Sequence, residues 1–285
     1  MKIAVSAYSY SGALRDGRLT LEQTPKKAKE MGFEGIEFIT LPGKALDERL
    51  ALAQTLKKAC EEAEIPVVAY AVGASLYAET EEECERGYEA LCDEIRIAAA
   101  LGAPLLRHDV VYGYKATEGG RSFDLMLPVI AANVKKATRF AKTLGIRTCS
   151  ENHGYVAQDS DRMERLVAAV RDENYGLLID IGNFACADED SVRAVSRLAP
   201  LAIHVHAKDF RITPFGGERP ASCFESRGCN YLTGVAVGDG NIPVAQCIAI
   251  LKRAGYDGFM SIEYEGSEDC IAALGKGRAY LAHLI

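Results

Sequence analysis

Four short segments of the chain each end in a side chain that can hold a metal ion or move a proton. The segments are residues 149–154, 178–183, 204–209 and 261–266. Each has the pattern of a short β-strand, and the side chains that matter are Glu151, Asp180, His206 and Glu263. Carboxylate oxygens and imidazole nitrogens suit Mn, Co, Mg, Zn or Fe as divalent ions. We predict that the four side chains converge on one such ion.

The elements that must position these side chains alternate between strands and helices along the whole chain. Strands are predicted at 2–8, 33–39, 66–72, 104–109, 146–151, 175–181, 202–208 and 258–264. Helices are predicted at 20–31, 45–63, 81–101, 124–144, 160–170, 190–198, 243–254 and 267–284. Two long connections, 110–122 and 209–240, are predicted as loops.

Eight strand–helix units follow one another without a composition break or a linker. Such alternation predicts parallel strands joined by right-handed crossovers. Eight units in one domain, residues 1–285, favour a (β/α)8 barrel. An open doubly wound sheet is the alternative, but it is expected to carry a G-x-G-x-x-G turn after its first strand, and residues 7–12 read AYSYSG.

The proposed metal-binding side chains all fall at the carboxyl ends of the last four predicted strands. In (β/α)8 barrels the active site lies at that end of the strands. Side chains two residues apart on a strand share a face, so His153, His204, Lys208 and Glu265 are expected at the same mouth. Three carboxylates in one place repel one another unless a cation neutralises them. The spacing therefore again predicts a cation site.

Composition restricts the classes of function. The chain has 285 residues, of which 48% are hydrophobic and 26% charged, as in an ordinary globular protein. A formal net charge of −7 argues against binding of duplex nucleic acid, which needs clusters of Lys and Arg. No apolar run reaches 18 residues, which predicts no transmembrane helix. Residues 1–6 are too short and too strand-like for a signal peptide.

The nine cysteines indicate a reducing compartment. Their number is odd, and none form a C-x-x-C pair. Cys84, Cys92, Cys247 and Cys270 fall within predicted helices. Reduced thiols in a cytoplasmic protein are the interpretation that this pattern favours. Cys223 and Cys229 share a predicted loop, which leaves a contact between them open.

Motifs around the predicted site resemble a known family. They are Glu-Asn-His-Gly at 151–154, Asp-x-Gly-Asn at 180–183, His-x-Lys-Asp at 206–209 and Gly-Tyr-Asp-Gly-x-x-x-Ile-Glu at 255–263. Together they are similar to the sugar phosphate isomerase/epimerase family, within the xylose-isomerase-like TIM-barrel superfamily. Residues 237–243 also resemble the segment that precedes its last βα unit. The resemblance spans essentially the whole chain.

The resemblance implies a role for each member of the set. Glu151 and Glu263 would be both metal ligands and the catalytic acid/base pair, whereas Asp180 and His206 would be ligands only. One departure stands out, because many epimerases of the group have a His where this chain has Asn183. An amide can bond a hydroxyl group but cannot shuttle a proton, which weakens a direct transfer of the ketose 3-epimerase mechanism.

The predicted reaction is isomerisation or epimerisation of a sugar, keto-sugar or inosose. A proton leaves a carbon next to a carbonyl, a metal-bound enediolate forms, and a second carboxylate returns the proton. The alternative is a lyase on the same barrel, either an inosose-type dehydratase or a C-glycoside deglycosidase acting on a 3-keto-glycoside. All of these share the first step, so the four residues do not separate them. Manganese is the favoured ion.

Further side chains at strand ends and in loops are predicted to bind substrate. They are Tyr8, Glu37, Arg107, His108, His153, Asn183, Lys208 and Arg219. For Lys208, a carbonyl or phosphate contact and an ion pair with a carboxylate both stay open. Tyr112 and Tyr114 are expected to cover the sugar. The 209–240 segment is predicted as a lid, with a disordered or oligomer-contact loop as its alternative.

Two rival functions receive less support. A metal-dependent endonuclease on this barrel needs many His ligands and a basic face, but the chain has five His and a negative charge. A non-enzymatic barrel does not need so many carboxylates and imidazoles at one rim. The predicted partner is a small sugar, with no nucleic acid and no membrane, and a homo-oligomer stays open.

Overall fold

The predicted alternation folds into a closed barrel. The computed structural model describes residues 1–111 and 122–285. Its strands are β1 (Lys2–Ser6), β2 (Gly35–Ile39), β3 (Val67–Val72), β4 (Leu105–His108), β5 (Arg147–Glu151), β6 (Tyr175–Asp180), β7 (Ala202–Ala207), β8 (Asp209–Thr213), β9 (Phe224–Glu225), β10 (Tyr231–Val235) and β11 (Phe259–Ile262). Strands β1 to β7 and β11 form the barrel, and all its neighbouring pairs are parallel. The predicted (β/α)8 barrel in a single domain is confirmed, and the open sheet is excluded because β1 pairs with both β2 and β11.

Helices connect the strands on the outside. The described helices are α1 (Ser11–Arg15), α2 (Thr24–Glu30), α3 (Leu46–Glu62), α4 (Glu81–Leu101), α5 (Phe123–Thr143), α6 (Ser160–Val170), α7 (Ser191–Leu198), α8 (Val244–Arg253) and α9 (Cys270–Ala282). Both α4 and α6 begin and end at the predicted residues. The predicted start of α2 at residue 20 is wrong, because Leu21–Gln23 forms a separate 3-10 turn before it. No helix of the described residues is long and apolar enough to cross a membrane.

Two predicted loops contain regular structure. The turn after β1 carries α1, which the sequence analysis missed. The 209–240 segment was predicted as a loop, but it forms a three-stranded antiparallel sheet in the order β8–β10–β9. Strand β8 pairs with β10 from Asp209 opposite Val235 to Thr213 opposite Tyr231. Both strands are short and separated by a segment rich in Gly and Pro, so the sequence pattern was too weak to reveal the sheet.

The barrel interior is a small apolar layer beneath a polar mouth. Alternate strand residues point inward, and the inner layer consists of Ala69, Leu105, Cys149, Leu178 and the partly buried Ile203. The outward-pointing residues pack against the helices in the main hydrophobic core. The next inward positions toward the carboxyl ends of the strands are polar. The apolar layer closes the barrel floor, so polar side chains above it meet at one end only.

Parallel register places the polar side chains of neighbouring strands next to one another. Asp180 on β6 is level with His206 on β7, and His206 is level with Ser261 on β11. Glu37 on β2 is level with Ser6 on β1. The barrel alone therefore positions the polar mouth.

All nine cysteines are free thiols in the structure, including Cys223 and Cys229.

Candidate active site

Four side chains of types that can bind a metal, each at or just after the end of a separate strand, meet at the barrel mouth. One donor atom from each of Glu151, Asp180, His206 and Glu263 lies within 4.8 Å of all the others. His206 Nδ1 is 3.7 Å from Glu151 Oε1, 3.9 Å from Asp180 Oδ2 and 3.7 Å from Glu263 Oε2. Ligands bonded to one ion at about 2.0–2.2 Å lie roughly 3–4 Å apart. The separations thus match a shared ion better than direct hydrogen bonds. We call these four residues the donor cluster.

The local turn after β6 aims one oxygen of Asp180 at the donor cluster. Its Oδ1 accepts hydrogen bonds from the backbone N–H of Gly182 (2.8 Å) and of Asn183 (3.1 Å). The side chain of Asn152 fixes the Asp180 backbone. Its Nδ2 donates to the Asp180 carbonyl and its Oδ1 accepts from the Asp180 N–H, both at 2.9 Å. Asp180 Oδ2 is buried and has no hydrogen-bond partner among the described residues. That oxygen is therefore available to an ion.

His206 is held in the same one-sided way. Its Nε2–H donates to the carboxylate of Glu37, with both oxygens 3.0 Å away. Its Nδ1 is buried without a hydrogen-bond partner in the described part of the chain. Buried polar atoms without partners are rare in folded proteins. Two such atoms facing one centre suit a divalent cation, so the residues present fit a metal site.

Both oxygens of Glu151 are engaged by neighbouring side chains. Arg107 Nε lies 2.5 Å from Oε2, and Asn183 Nδ2 donates to Oε1 at 2.9 Å. Arg107 also pairs with Asp109 at 3.0 Å and donates to the Val72 carbonyl at 3.0 Å. Burial disfavours the charged guanidinium, but Asp109 and Glu151 outweigh this effect and raise the pKa of Arg107. These contacts fix the orientation of the Glu151 carboxylate.

Lys208 faces Glu263 from the other side of the cluster. Its Nζ is 2.5 Å from Glu263 Oε2 and 3.4 Å from both Asp180 Oδ2 and Glu265 Oε2. Of the two predicted roles, the structure contains the ion pair. Burial lowers the pKa of this amine, but Glu263 and Glu265 outweigh burial and raise it well above its usual value. A further contact, Nζ to Asn183 Oδ1 at 3.3 Å, ties Lys208 to the Glu151 side.

The mouth carries an excess of negative charge. Six carboxylates occupy it: Glu37, Asp109, Glu151, Asp180, Glu263 and Glu265. Arg107 and Lys208 supply two permanent positive charges. Burial raises the pKa of Asp180 to about 6 despite the opposing effect of Lys208. Burial acts in the same sense on Glu263, but Lys208 and His206 outweigh it and hold its pKa well below the usual range. Burial opposes the charged form of His206, but Glu37 and Glu263 outweigh burial and raise its pKa well above the usual value. Among the described residues the six carboxylates still outnumber the cationic groups beside them, which leaves room for a divalent cation.

Glu37 lies deeper than predicted. It was expected at the rim as a substrate contact, but its side chain is fully buried. Its carboxylate accepts from His206 and from His204 Nε2, each at 3.0 Å, and His204 Nε2 is also 3.0 Å from Ser261 Oγ. Burial opposes its ionisation, but His206 and His204 outweigh burial and lower its pKa to about 2. We call Glu37, His204 and His206 the bridge cluster.

The neighbouring residues Arg107 and His108 point to opposite sides of β4. Arg107 reaches Glu151 inside the barrel, so His108 faces the helices. His108 Nδ1 lies 2.9 Å from the Asp109 carbonyl oxygen, and its ring centre is 6.3 Å from that of Tyr175. Burial lowers its pKa to about 4. The prediction that His108 lies at the rim is therefore wrong.

Asp109 is a site residue that the sequence analysis missed. It is buried, and its Oδ1 lies 2.9 Å from His153 Nδ1 and 3.0 Å from Arg107 Nη2. His153 lies at the mouth as predicted from its strand face. The only sequence signal for Asp109 was its position at the end of the fourth predicted strand.

The remaining predicted contacts divide into two groups. Tyr8 lies beside Glu265, with which it lines one cavity, and burial together with the charges of Glu265 and Glu263 raises the pKa of its phenol. Arg219 instead pairs with Glu225 at 3.0 Å and stacks over Tyr231, with 61% of its side chain exposed. Its described contacts therefore lie within the outer sheet. Tyr112 and Tyr114 lie outside the described residues.

The β8–β10 sheet is anchored beside the mouth. Asp188, in the connection after β6, accepts from Ser226 Oγ (2.6 Å), Gly228 N (2.5 Å) and Asn230 Nδ2 (2.7 Å). Tyr155, in the connection after β5, donates its hydroxyl to the Glu225 carbonyl at 2.9 Å. The segment is thus ordered and packs against the loops that follow Glu151 and Asp180.

Known proteins share this architecture. The rhizopine catabolism protein MocC of Rhizobium meliloti is 26% identical over 270 residues, covering 87% of this chain and 76% of MocC. The inosose dehydratase of Yersinia enterocolitica is 26% identical over 146 residues, which is 48% of this chain and 47% of that protein. The chain thus spans about half the length of that relative.

Among solved structures, the 3-keto-D-glucoside 4-epimerase YcjR of E. coli superposes with a TM-score of 0.71 at 16% identity. The superposition covers 99% of each chain, which shows a common fold. The family model described as xylose isomerase-like TIM barrel matches residues 25–283. The resemblance drawn from the strand-end motifs is thereby confirmed, and the chain belongs to the xylose isomerase-like TIM barrel family.

Proposed function

We propose that this enzyme removes a proton from a carbon next to the carbonyl of a sugar, keto-sugar or inosose, and that Glu151, Asp180, His206 and Glu263 hold one divalent metal, with manganese favoured. The observation that carries the proposal is the pair of buried atoms without hydrogen-bond partners among the described residues, Asp180 Oδ2 and His206 Nδ1, which face one centre. The chemistry that a bound ion supplies there is Lewis-acid stabilisation of the charge developing on the substrate oxygen.

Glu151 and Glu263 are the proposed acid/base pair, and their surroundings differ. Arg107 and Asn183 fix both oxygens of Glu151. Glu263 is held by Lys208, and 14% of its side chain stays exposed. Efficient proton transfer needs a carboxylate in hydrogen-bond reach of the reacting carbon and in a fixed orientation. In our proposal one carboxylate takes the proton and the other returns it, which gives an isomerase or epimerase.

A lyase is the second candidate, and Asn183 is the observation that favours it. Its side chain links Glu151 to Lys208, and an amide does not act as a general acid or base. An inosose dehydratase is also among the relatives of the chain. Loss of a β-hydroxyl after the same first step gives an unsaturated ketone, which absorbs in the ultraviolet, whereas an epimer does not. Absorbance and NMR of the product therefore separate the two candidates.

The test is proton exchange in deuterated water. The manganese-loaded protein is screened against inososes and keto-sugars, and NMR follows deuterium incorporation. Glu151→Gln and Glu263→Gln should each slow exchange by about 100-fold or more, the usual contribution of a positioned acid or base. Glu173→Gln, an exposed pair with Lys142, is the matched control and should exchange like the wild type. Full exchange in either active-site variant, or an active protein that contains no metal, contradicts the proposal.

A further inference from the structure

A cavity opens beside the donor cluster, between the loops that follow the first and the last barrel strands. Its volume is about 440 Å³, within the roughly 300–1,000 Å³ of small-molecule sites. Its polar lining includes Tyr8, Ser11, Arg15, Arg18, Glu265 and Ser267. The four proposed metal ligands are not part of this lining, so the cavity is an additional space next to the donor cluster.

The cavity borders the proposed catalytic centre. Glu265 lines it, and its Oε2 lies 3.4 Å from Lys208 Nζ, which in turn lies 2.5 Å from Glu263 Oε2. Tyr8 lines it as well and stands close enough to Glu263 and Glu265 for their charges to act on its phenol. A substrate whose reacting carbon lies beside Glu263 can therefore extend past Tyr8 into the cavity.

The walls of the cavity are braced against each other. Ser9 Oγ donates to the Ile262 carbonyl at 3.1 Å and accepts from the Tyr264 N–H at 2.8 Å, which ties the β1 loop to the β11 loop. At the other end, Arg18 Nη1 lies 2.6 Å from Asp269 Oδ2. Such cross-links hold the cavity open before anything binds. A preformed site avoids the cost of ordering loops on binding.

Most charges of the lining are compensated within the protein, and Arg15 is the exception among the described residues. Arg18 lies between Asp269 and Asp16, at 2.6 and 3.3 Å. Glu265 faces Lys208, and Glu268 faces Lys276 at 3.7 Å. An ionic ligand entering the cavity meets both signs of charge. A neutral ligand with many hydroxyl groups can donate to the carboxylates and accept from the guanidinium and hydroxyl groups.

We propose that this cavity binds a second, uncharged polyhydroxylated unit, a glycosyl residue attached to the keto-sugar ring that reacts at the donor cluster. The inference rests on the proposed function for the identity of the reacting ring. The preferred substrate is then a keto-glycoside, and the loops after β1 and β11, which line the cavity, determine the preference for it over a free keto-sugar.

The experiment compares three probes with the manganese-loaded protein: 3-keto-glucose, the disaccharide 3-keto-maltose and 3-keto-glucose 6-phosphate. Deuterium exchange gives kcat/KM for each probe. We expect the disaccharide to exceed 3-keto-glucose by about tenfold, the factor of one good net hydrogen bond. Ser267→Trp places an indole in the cavity from an exposed position and should reduce that ratio to about one. Ser196→Trp, exposed on the outer face of α7, is the matched control and should keep the wild-type ratio.

Other results overturn the inference. A wild-type ratio of one, or a ratio that survives in Ser267→Trp, removes the glycosyl subsite. A preference for the phosphorylated probe replaces it with an anion site. A lack of exchange with these three probes and with every inosose and keto-sugar of the screen contradicts the proposed function instead. Calorimetric titration of the probes into Glu151→Gln then tests the subsite independently of catalysis, because binding needs no turnover. Tighter binding of the disaccharide than of 3-keto-glucose supports the subsite, and equal binding of these two neutral probes rejects it.

Discussion

Two clusters of carboxylate and imidazole share His206 at the mouth of the barrel, and they differ in spacing. In the donor cluster, His206 Nδ1 stands 3.7–3.9 Å from three carboxylates. In the bridge cluster, His206 Nε2 and His204 Nε2 each lie 3.0 Å from a carboxylate oxygen of Glu37. The bridge cluster is thus held together by hydrogen bonds, whereas two buried atoms of the donor cluster have no hydrogen-bond partner among the described residues.

Residue type at a strand end therefore does not by itself define a metal site. Both clusters contain residues that bind metals, and both are buried. In both clusters the ligand atoms lie close enough to share an ion, but in the part of the chain that the structure describes only the donor cluster contains two buried atoms without hydrogen-bond partners that face one centre. The bridge cluster suits a supporting role, because a carboxylate that accepts the outer N–H of a ligating imidazole fixes its tautomer and orientation. Glu37 therefore presents the Nδ1 lone pair of His206 to the donor cluster.

The largest effect is expected from Asp180→Asn in the donor cluster. The variant keeps an oxygen for the Gly182 and Asn183 amides, but it replaces the free carboxylate oxygen by an amide. We expect Mn²⁺ affinity, measured by calorimetry, to fall by more than about 100-fold, since the loss of an outer partner alone costs about 10–100-fold. Proton exchange should disappear with it.

The control for this change is Asp93→Asn, an exposed partner of Arg96. It should bind Mn²⁺ like the wild type. An unchanged affinity in Asp180→Asn, with the fold intact by circular dichroism, shows that the donor cluster holds no ion through Asp180.

A smaller effect is expected from Glu37→Gln in the bridge cluster. Glutamine keeps the size of the side chain, but its amide group faces an imidazole N–H that previously met a carboxylate oxygen. Mn²⁺ affinity should fall by about 10–100-fold, as for other outer partners of ligating imidazoles. The exposed Glu22→Gln is the matched control. Wild-type affinity in Glu37→Gln restricts the bridge cluster to a structural role.

The donor cluster was accessible from the sequence because parallel strands bring their carboxyl ends to one edge. Eight alternating units predicted the barrel, and the barrel gathered Glu151, Asp180, His206 and Glu263 without knowledge of any distance. This argument needs only the order of the strands and the direction of each chain segment, both of which the hydrophobic pattern records.

The depth and face of a side chain were harder to predict. The residues from Leu105 to His108 include no alternation that distinguishes Arg107 from His108, so both were placed at the rim. Glu37 lies near the end of a predicted strand. Its depth is decided by a register shift between Ile36 and Glu37 in the pairing of β2 with β3, and by the interior contact with His204. Asp109 meets His153 across 44 residues, a pairing that no local pattern encodes.

The smallest effect is expected from His204, which belongs to the bridge cluster alone. Its Nε2 lies 3.0 Å from both Glu37 Oε2 and Ser261 Oγ. His204→Phe keeps the ring volume but leaves these buried oxygens with one partner fewer, so the free energy of unfolding should fall by about 1–3 kcal/mol. Because Glu37 still holds His206, Mn²⁺ affinity should fall less than in Glu37→Gln. His204→Gln, whose amide can reach the same oxygens, should recover part of the stability in urea unfolding. If His204→Phe weakens Mn²⁺ binding as much as Glu37→Gln does, the two histidines act on the ion as one unit, and the division into two clusters is wrong.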